Sequence, residues 1–253
     1  MAKESSRESR RRALQQARGA QERRKRRLRL AAICGGVVAV AAIAVAVPLA
    51  VSGGGSIATP GYAPLSTLGA LKPAPAAGAP GPEGVPIPAA PALAGTATAA
   101  TGATVDGIRC ETSEQTLFHI HAHLTIFVNG AARQVPAAIG IPGAVPQQTQ
   151  AGPFIGSGTC FYWLHTHAAD GIVHIESPVQ RTYTLGQFFD EWGQPLGTNV
   201  VGPAHGHVTV LVNGKVFTGN PRDVPLTAHA QVQLEVGTPL VAPESISWAG
   251  TGL

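Results

Sequence analysis

The stretch 118–130, FHIHAHLTIFVNG, decides the fold prediction, because apolar residues alternate with polar ones from 118 to 125 and an Asn-Gly pair ends the stretch. Successive side chains of a β-strand point to opposite faces. The even-numbered residues 118–128 therefore form one wholly apolar face, whereas the other face carries His119, His121, His123 and Thr125. The Asn-Gly pair suits the positive φ angles of a tight turn. The stretch predicts a half-buried strand that leads into a β-hairpin.

The same pattern recurs later in the chain. Residues 207–214, HVTVLVNG, match residues 123–130, HLTIFVNG, at the His, Thr, Val, Asn and Gly positions. This match indicates an internal duplication of a strand with its hairpin turn. Three further strands are predicted between turn signals, at 159–164, 171–176 and 230–236.

One helix is predicted between the two halves of the repeat. Thr184 and Gln187 have the spacing of a capping box, four apolar side chains follow at helical spacing, and Gly193 is suited to end the helix. Such an apolar stripe usually packs against a sheet, so the helix is given no functional role. The fold class predicted is α+β, mainly β, with antiparallel sheets from two related strand-hairpin halves and one packed helix.

The N-terminal part of the chain predicts a membrane anchor. Residues 1–29 hold 12 of the 18 Lys and Arg against three Glu, which gives +9, and the remaining −5 brings the chain to +4. Residues 30–51 are uncharged and long enough to cross a hydrocarbon core of roughly 30 Å. Because the basic residues precede this span, it is predicted to be a single transmembrane signal-anchor helix with the N-terminus in the cytoplasm.

Two other interpretations of the N-terminal part stay open. The apolar span could be a cleavable signal peptide, with small residues at Ala50 and Ser52 near the cleavage site. The arginines of the cytoplasmic tail, residues 1–29, could also bind polyanions. Their position directly before the apolar span favours a role in membrane topology, so the membrane is the predicted partner and no nucleic acid is predicted.

Composition divides the rest of the chain into a spacer and a domain. Residues 52–104 consist mostly of Gly, Ala, Pro, Ser and Thr, which predicts a disordered linker that holds a domain away from the membrane. Residues 105–253 contain all nine histidines, all three tryptophans and two of the three cysteines. This segment is long enough for a real core and is predicted to be a His-rich extracytoplasmic β-domain.

The spacing of the histidines predicts a metal site. Same-face imidazoles on a strand lie roughly 7 Å apart, a gap that two rings can close around one ion. Neutral imidazole suits copper and zinc better than it suits calcium or magnesium, so copper or zinc is the predicted cofactor. The predicted metal ligands are His121, His123, His165, His167 and His174. Further candidates, as ligands or as groups that orient a ligand, are His119, Glu176, His205 and His207.

Other residues of the domain are interpreted without a metal. A solvated strand face can carry a histidine that binds nothing. His229 is interpreted in this way because it shares the polar face of its predicted strand with Gln231 and Glu235. Cys110 and Cys160 are predicted to form a disulfide in an oxidising compartment. The alternative is that Cys160 is a soft metal ligand beside His165, as in a blue-copper site.

Residues 118–253 resemble a group of uncharacterised exported or membrane-anchored bacterial proteins. The motifs that carry the resemblance are HIHAHLTIFVNG, CFYWLHTHAADGIVHIESP and YTLGQFF. The resemblance implies an extracytoplasmic domain with these boundaries, and it implies no particular activity or protein partner.

These features support three functional hypotheses. The first is a membrane-anchored extracytoplasmic protein that binds copper or zinc for sequestration, delivery or sensing. The second is an enzyme in which histidines hold zinc or copper with an open position, and Glu176 or Asp170 acts as the base. The third is a structural or partner-binding β-module with incidental or pH-responsive histidines. The sequence lacks the Gly-x-Ser-x-Gly, His-Glu-x-x-His, P-loop and dinucleotide motifs, which weighs against the second hypothesis.

Overall fold

The computed structural model describes residues 61–253, and β-strands are the main element in this part of the chain. The only α-helix in this part, α1, spans Leu185–Trp192, and two 3-10 helices span Leu65–Leu68 and Pro221–Asp223. In chain order the strands are β1 (Tyr62–Ala63), β2 (Cys110–Glu111), β3 (Phe118–Val128), β4 (Ala131–Arg133), β5 (Pro146–Thr149), β6 (Gly152–Ile155), β7 (Phe161–Tyr162), β8 (Leu164–His165), β9 (Ile172–Ser177), β10 (Tyr183–Thr184), β11 (Leu196–Gly197), β12 (Val200–Val201), β13 (Ala204–His205), β14 (Val208–Val212), β15 (Lys215–Phe217), β16 (Pro225–Leu226) and β17 (Gln231–Val236).

An eight-stranded sheet lies at the centre of the fold. Its strands follow the order β1-β15-β14-β17-β3-β9-β8, and β4 also pairs with β3. Every ladder of this sheet is antiparallel except the one between β17 and β3, which is parallel. The prediction of a mainly β fold with antiparallel sheets and one helix is therefore confirmed. The predicted strand at 159–164 is split into β7 and β8.

Both copies of the sequence repeat form a β-hairpin. Asn129 and Gly130 join β3 to β4 with φ angles of 52° and 72°, and Asn213 and Gly214 join β14 to β15 with φ angles of 50° and 73°. Positive φ at both central residues matches the right-handed twist of the flanking strands. The two hairpins are not neighbours, because β17 lies between β14 and β3. The origin of the repeat by duplication remains a prediction.

Helix α1 packs on the apolar face of the sheet, as its sequence predicts. The side chain of Thr184 accepts a hydrogen bond from the Gln187 backbone N–H, and the Gln187 side chain accepts one from the Thr184 N–H. Gly193 ends the helix in the left-handed region. The helix and β3 share one core, whose fully buried members include Phe188, Phe189, Trp192, Ala122, Leu124 and Ile126. Burial of this aromatic stripe stabilises the helix on the sheet.

The polar face of β17 is covered by the C-terminal segment. Gln231, Gln233 and Glu235 use side-chain oxygens to accept hydrogen bonds from backbone N–H groups of residues 241–246, at 2.8–3.1 Å. Burial raises the pKa of Glu235 to about 7, despite the hydrogen bonds that Gln233 and Val241 donate to its carboxylate. The alternation predicted for this strand is confirmed, but its polar face is not open to solvent.

The free energy of unfolding should fall as the pH rises, because Glu235 titrates. Its folded pKa of about 7 lies above the ordinary value of 4.5, so its contribution is complete below pH 4.5 and is lost as the pH rises through 7. We expect the wild type to lose about 1–2 kcal/mol of unfolding free energy between pH 5 and pH 8 through this group. Glu235→Gln keeps an acceptor oxygen but does not titrate. Its unfolding free energy, measured with urea, should therefore fall less between pH 5 and pH 8. Equal losses in the two proteins would contradict the prediction.

Residues 61–104 correct the prediction of a disordered linker over 52–104. Lys72 pairs with the C-terminal segment through backbone hydrogen bonds of 2.7–2.8 Å, and the Leu93 N–H donates to the Gln134 carbonyl oxygen at 2.9 Å. Val85 and Leu93 are buried. Composition alone predicts disorder because the segment has few large apolar side chains. The β-domain buries the ones it has, and its prolines lower the entropy lost on ordering. We call residues 61–104 the strap.

The predictions for the first 60 residues lie outside the described part of the chain. They comprise the basic cytoplasmic tail 1–29, the transmembrane helix 30–51 and the start of the linker at 52. Within residues 61–253, no helix is both long enough and apolar enough to span a bilayer.

The predicted disulfide between Cys110 and Cys160 is present. Its sulfur atoms are bonded to each other, so the alternative of Cys160 as a blue-copper ligand beside His165 is wrong for this structure. The bond closes a loop with a sequence separation of 50 residues, between β2 and the start of β7.

Removing the disulfide should destabilise the domain. A crosslink over a loop of this length restricts the unfolded chain, and its loss typically costs about 2–4 kcal/mol. We expect the Cys110→Ser, Cys160→Ser variant to unfold at lower urea concentration than the wild type. Addition of a thiol reductant should lower the wild-type midpoint toward that of the variant and leave the variant unchanged. A variant with the wild-type midpoint would contradict the prediction.

Candidate metal centre

The register of β3, β9 and β8 brings ligand-type side chains onto one face of the sheet. His121 lies opposite His174, which in turn lies opposite His165, and His119 lies opposite Glu176. Alternate residues of a strand share a face, so these side chains project together. With His167, which follows β8, they form what we call the His cluster: His119, His121, His165, His167, His174 and Glu176. All are buried except His119, whose side chain is 40% exposed.

Four members of the His cluster have the separations expected of ligands to one ion. His119 Nε2 lies 3.0 Å from both His121 Nε2 and Glu176 Oε1. His174 Nδ1 lies 3.1 Å from His121 Nε2 and 3.3 Å from Glu176 Oε1. Ligands about 2.0–2.1 Å from a tetrahedral ion are themselves about 3.3 Å apart. These four atoms therefore suit a four-coordinate transition metal.

His165 and His167 turn their free nitrogens toward each other. His165 Nδ1 lies 2.8 Å from the Tyr162 carbonyl oxygen, and His167 Nδ1 makes a short hydrogen bond to the Ile155 carbonyl oxygen. A carbonyl can only accept, so each Nδ1 carries the hydrogen and each Nε2 of a neutral ring carries a lone pair. The two Nε2 atoms are 3.2 Å apart. Two lone pairs at this distance repel each other, and a bound cation would remove that repulsion.

Burial keeps most of these rings neutral. It lowers the pKa of His165 well below the ordinary value, and the positive charge of His174 lowers it further. The same two causes lower the pKa of His167, and they lower that of His121 to about 3. Neutral imidazole is the form that binds a metal, so these three rings are ready to act as ligands at neutral pH.

His174 is held by two carboxylates. Burial alone would lower its pKa, but hydrogen bonds with Glu176 and Glu83 raise the pKa to about 9. Its Nε2 lies 2.7 Å from Glu83 Oε1, which leaves Nδ1 directed at His121 and Glu176. A carboxylate that accepts the second N–H of a ligating histidine fixes the orientation and tautomer of that ring. Glu83 therefore orients His174 within the cluster, and a metal ion bound at Nδ1 would displace the proton that this ring carries without metal.

Two acidic residues at the cluster were missed in the sequence. Glu83 lies in the strap, at a turn closed by a hydrogen bond from the Gly84 N–H to the Gly81 carbonyl oxygen. Glu83 is the one acidic residue within 52–104, and this isolated charge is the sequence feature that could have indicated a functional role. Glu114, in the loop before β3, has Oε1 3.5 Å from His167 Nε2. Nothing in its local sequence distinguishes it from an ordinary surface acid.

Several predicted site residues lie away from the cluster. His123 is opposite Ile172 in the sheet register, so its ring has no ligand-type neighbour on β9, and its Nε2 donates to the Asp170 carbonyl oxygen at 3.0 Å. His205, the last residue of β13 in the separate sheet β11-β12-β13, is exposed, and so is His207 just after it. The structure does not bring these three histidines to the ion site predicted for them.

No protein-family model, curated protein or solved structure matches this chain.

Proposed function

We propose that this protein is a membrane-anchored extracytoplasmic protein that binds copper or zinc at the His cluster, for sequestration, delivery or sensing of the metal. The observation that carries the proposal is the pair of buried Nε2 lone pairs on His165 and His167, which face each other at 3.2 Å. Imidazole nitrogens suit transition metals such as zinc and copper better than they suit calcium or magnesium. Glu176 adds a carboxylate oxygen to the set.

The placement outside the cytoplasm is supported by the disulfide and by the N-terminal sequence. A Cys110–Cys160 disulfide is typical of oxidising compartments. The basic tail at 1–29 and the uncharged span at 30–51 predict an anchor with the domain outside the cell membrane.

Metal analysis of the purified full-length chain tests the proposal. After dialysis against Zn²⁺ and removal of free ion, the wild type should retain metal in a fixed ratio to protein, and the His165→Ala, His167→Ala variant should retain less. The matched control is His205→Ala, His207→Ala, which removes an equally spaced but exposed pair and should retain the wild-type amount. Unchanged metal content in the first variant would refute the site assignment.

The second candidate is a metal-dependent enzyme with Glu176 or Asp170 as base. A cavity of about 690 Å³ favours it, because Asp170 and His123 line that cavity. Neither of these two residues belongs to the His cluster, and Asp170 uses Oδ1 to accept a hydrogen bond from the Ile172 N–H. The metal-binding proposal needs only the cluster itself, so it stands first.

A further inference from the structure

The His cluster contains more donor atoms than one ion uses. Five imidazoles and Glu176 converge, whereas zinc in proteins is usually four-coordinate. The donors fall into two overlapping sets that share His174 and Glu176 and differ in their other imidazoles. We call His119, His121 and His174 the β3 group, and His165 and His167 the β8 group.

The β3 group forms a compact ligand set with Glu176 Oε1. Neighbouring donor atoms in this set are 3.0–3.3 Å apart. His174 belongs here because its Nδ1 faces His121, while its Nε2 is already bonded to Glu83. Four donors at these separations fill the shell of one tetrahedral ion.

The β8 group lies farther from the same oxygen of Glu176. His165 Nε2 is 4.0 Å from Glu176 Oε1, a longer separation than those between neighbouring donors of the β3 group. His167 Nε2 lies 3.5 Å from Glu114 Oε1. The two imidazoles with one oxygen from each of these carboxylates supply four donors for a second ion, and Glu114 provides the side of that site that is open to solvent.

Glu176 also has an oxygen without a hydrogen-bond partner. Its Oε2 is buried and has no partner among the described residues, whereas Oε1 is the oxygen that His119, His165 and His174 face. A buried carboxylate oxygen without a partner carries a large desolvation cost. A second ion bound by the same carboxylate would satisfy Oε2 as well as Oε1.

We propose that the His cluster is a binuclear centre, in which Glu176 bridges two transition metal ions. The β3 group with Glu176 holds the first ion, and the β8 group with Glu176 and Glu114 holds the second. This inference rests on the proposed metal-binding function and adds the number of ions, their separate ligands and the bridging residue.

The number of zinc ions retained by the full-length chain tests the inference. We expect two zinc ions per wild-type chain, and one in each of two variants, His119→Ala, His121→Ala and His165→Ala, His167→Ala. The control His205→Ala, His207→Ala should retain two. Thermal unfolding of each variant shows whether it remains folded.

Each possible zinc count has a distinct meaning. One ion in the wild type, lost completely in both cluster variants, would overturn the binuclear centre and leave the proposed function intact. Two ions that neither variant reduces would place the metal elsewhere and overturn the assignment. No ion in the wild type would refute the proposed function itself.

A second measurement needs no variant. Copper(II) added to the wild type in steps should give the electron paramagnetic resonance signal of an isolated ion up to one equivalent. Between one and two equivalents the spectrum should broaden or lose integrated intensity, because two copper(II) ions that share a carboxylate interact magnetically. Two copper ions that give simply twice the isolated signal would contradict the bridge.

Discussion

Replacing Glu83 by alanine should weaken zinc binding by about 10- to 100-fold, the usual effect of losing a carboxylate that orients a ligating histidine. The Glu83 carboxylate accepts the Nε2–H of His174 at 2.7 Å and so keeps Nδ1 directed toward His121 and Glu176. Without it, the ring can rotate or change tautomer, and the β3 group loses its central donor. Competition with a chromophoric zinc chelator measures the change in affinity.

Two further variants separate this positioning role from a general charge effect. Glu83→Gln keeps an oxygen that accepts the His174 N–H, so it should recover most of the lost affinity. Glu111→Ala removes an acid that pairs with Arg109 instead, at 2.9 Å, and should bind zinc like the wild type. Equal losses in Glu83→Ala and Glu111→Ala would show that overall charge, and not the contact with His174, controls the affinity.

The role of Glu83 also connects the strap to the metal centre. The strap, residues 61–104, contains one acidic side chain, that of Glu83. Backbone hydrogen bonds within 79–87 hold the turn that presents Glu83. Residues predicted to be a passive spacer thus supply a contact on which one metal ligand depends.

The local features of the site could be predicted from the sequence because they are periodic. Alternation placed His119 and His121 on one face of β3, and the spacing of two placed His174 with Glu176 on one face of β9. The Asn-Gly turns and the capping box of α1 depend on a few adjacent residues, and both are present. Such features need no knowledge of distant contacts.

The convergence of these faces could not be predicted, because strand order depends on long-range pairing. β9 lies between β3 and β8 and so joins His121, His174 and His165 in one row. β17 lies between β3 and β14, which keeps His207 away although it matches His123 in the repeat. Neither arrangement follows from the pattern of any single strand.

A large loss of stability is expected for Gly140→Ala, close to the β8 group. Gly140 has a φ angle of 71°, and a Cβ atom there would lie 2.2 Å from the Leu164 carbonyl oxygen and 2.9 Å from His165 Cβ. The left-handed backbone costs an alanine about 1 kcal/mol, and the close contact adds about 1–3 kcal/mol. We expect urea unfolding to show a total loss of about 2–4 kcal/mol.

Gly107→Ala isolates the contribution of the close contact. Gly107 has a similar φ angle of 75°, but no atom lies within 4 Å of the position its Cβ would take. This control should lose about 1 kcal/mol for the backbone alone and retain the wild-type zinc content. Gly140→Ala must move Leu164 or His165 to fit the methyl group, so it should also bind less zinc at the β8 group. If the two variants lost equal stability and bound zinc equally, the close packing of Gly140 against the strand that carries His165 would be refuted.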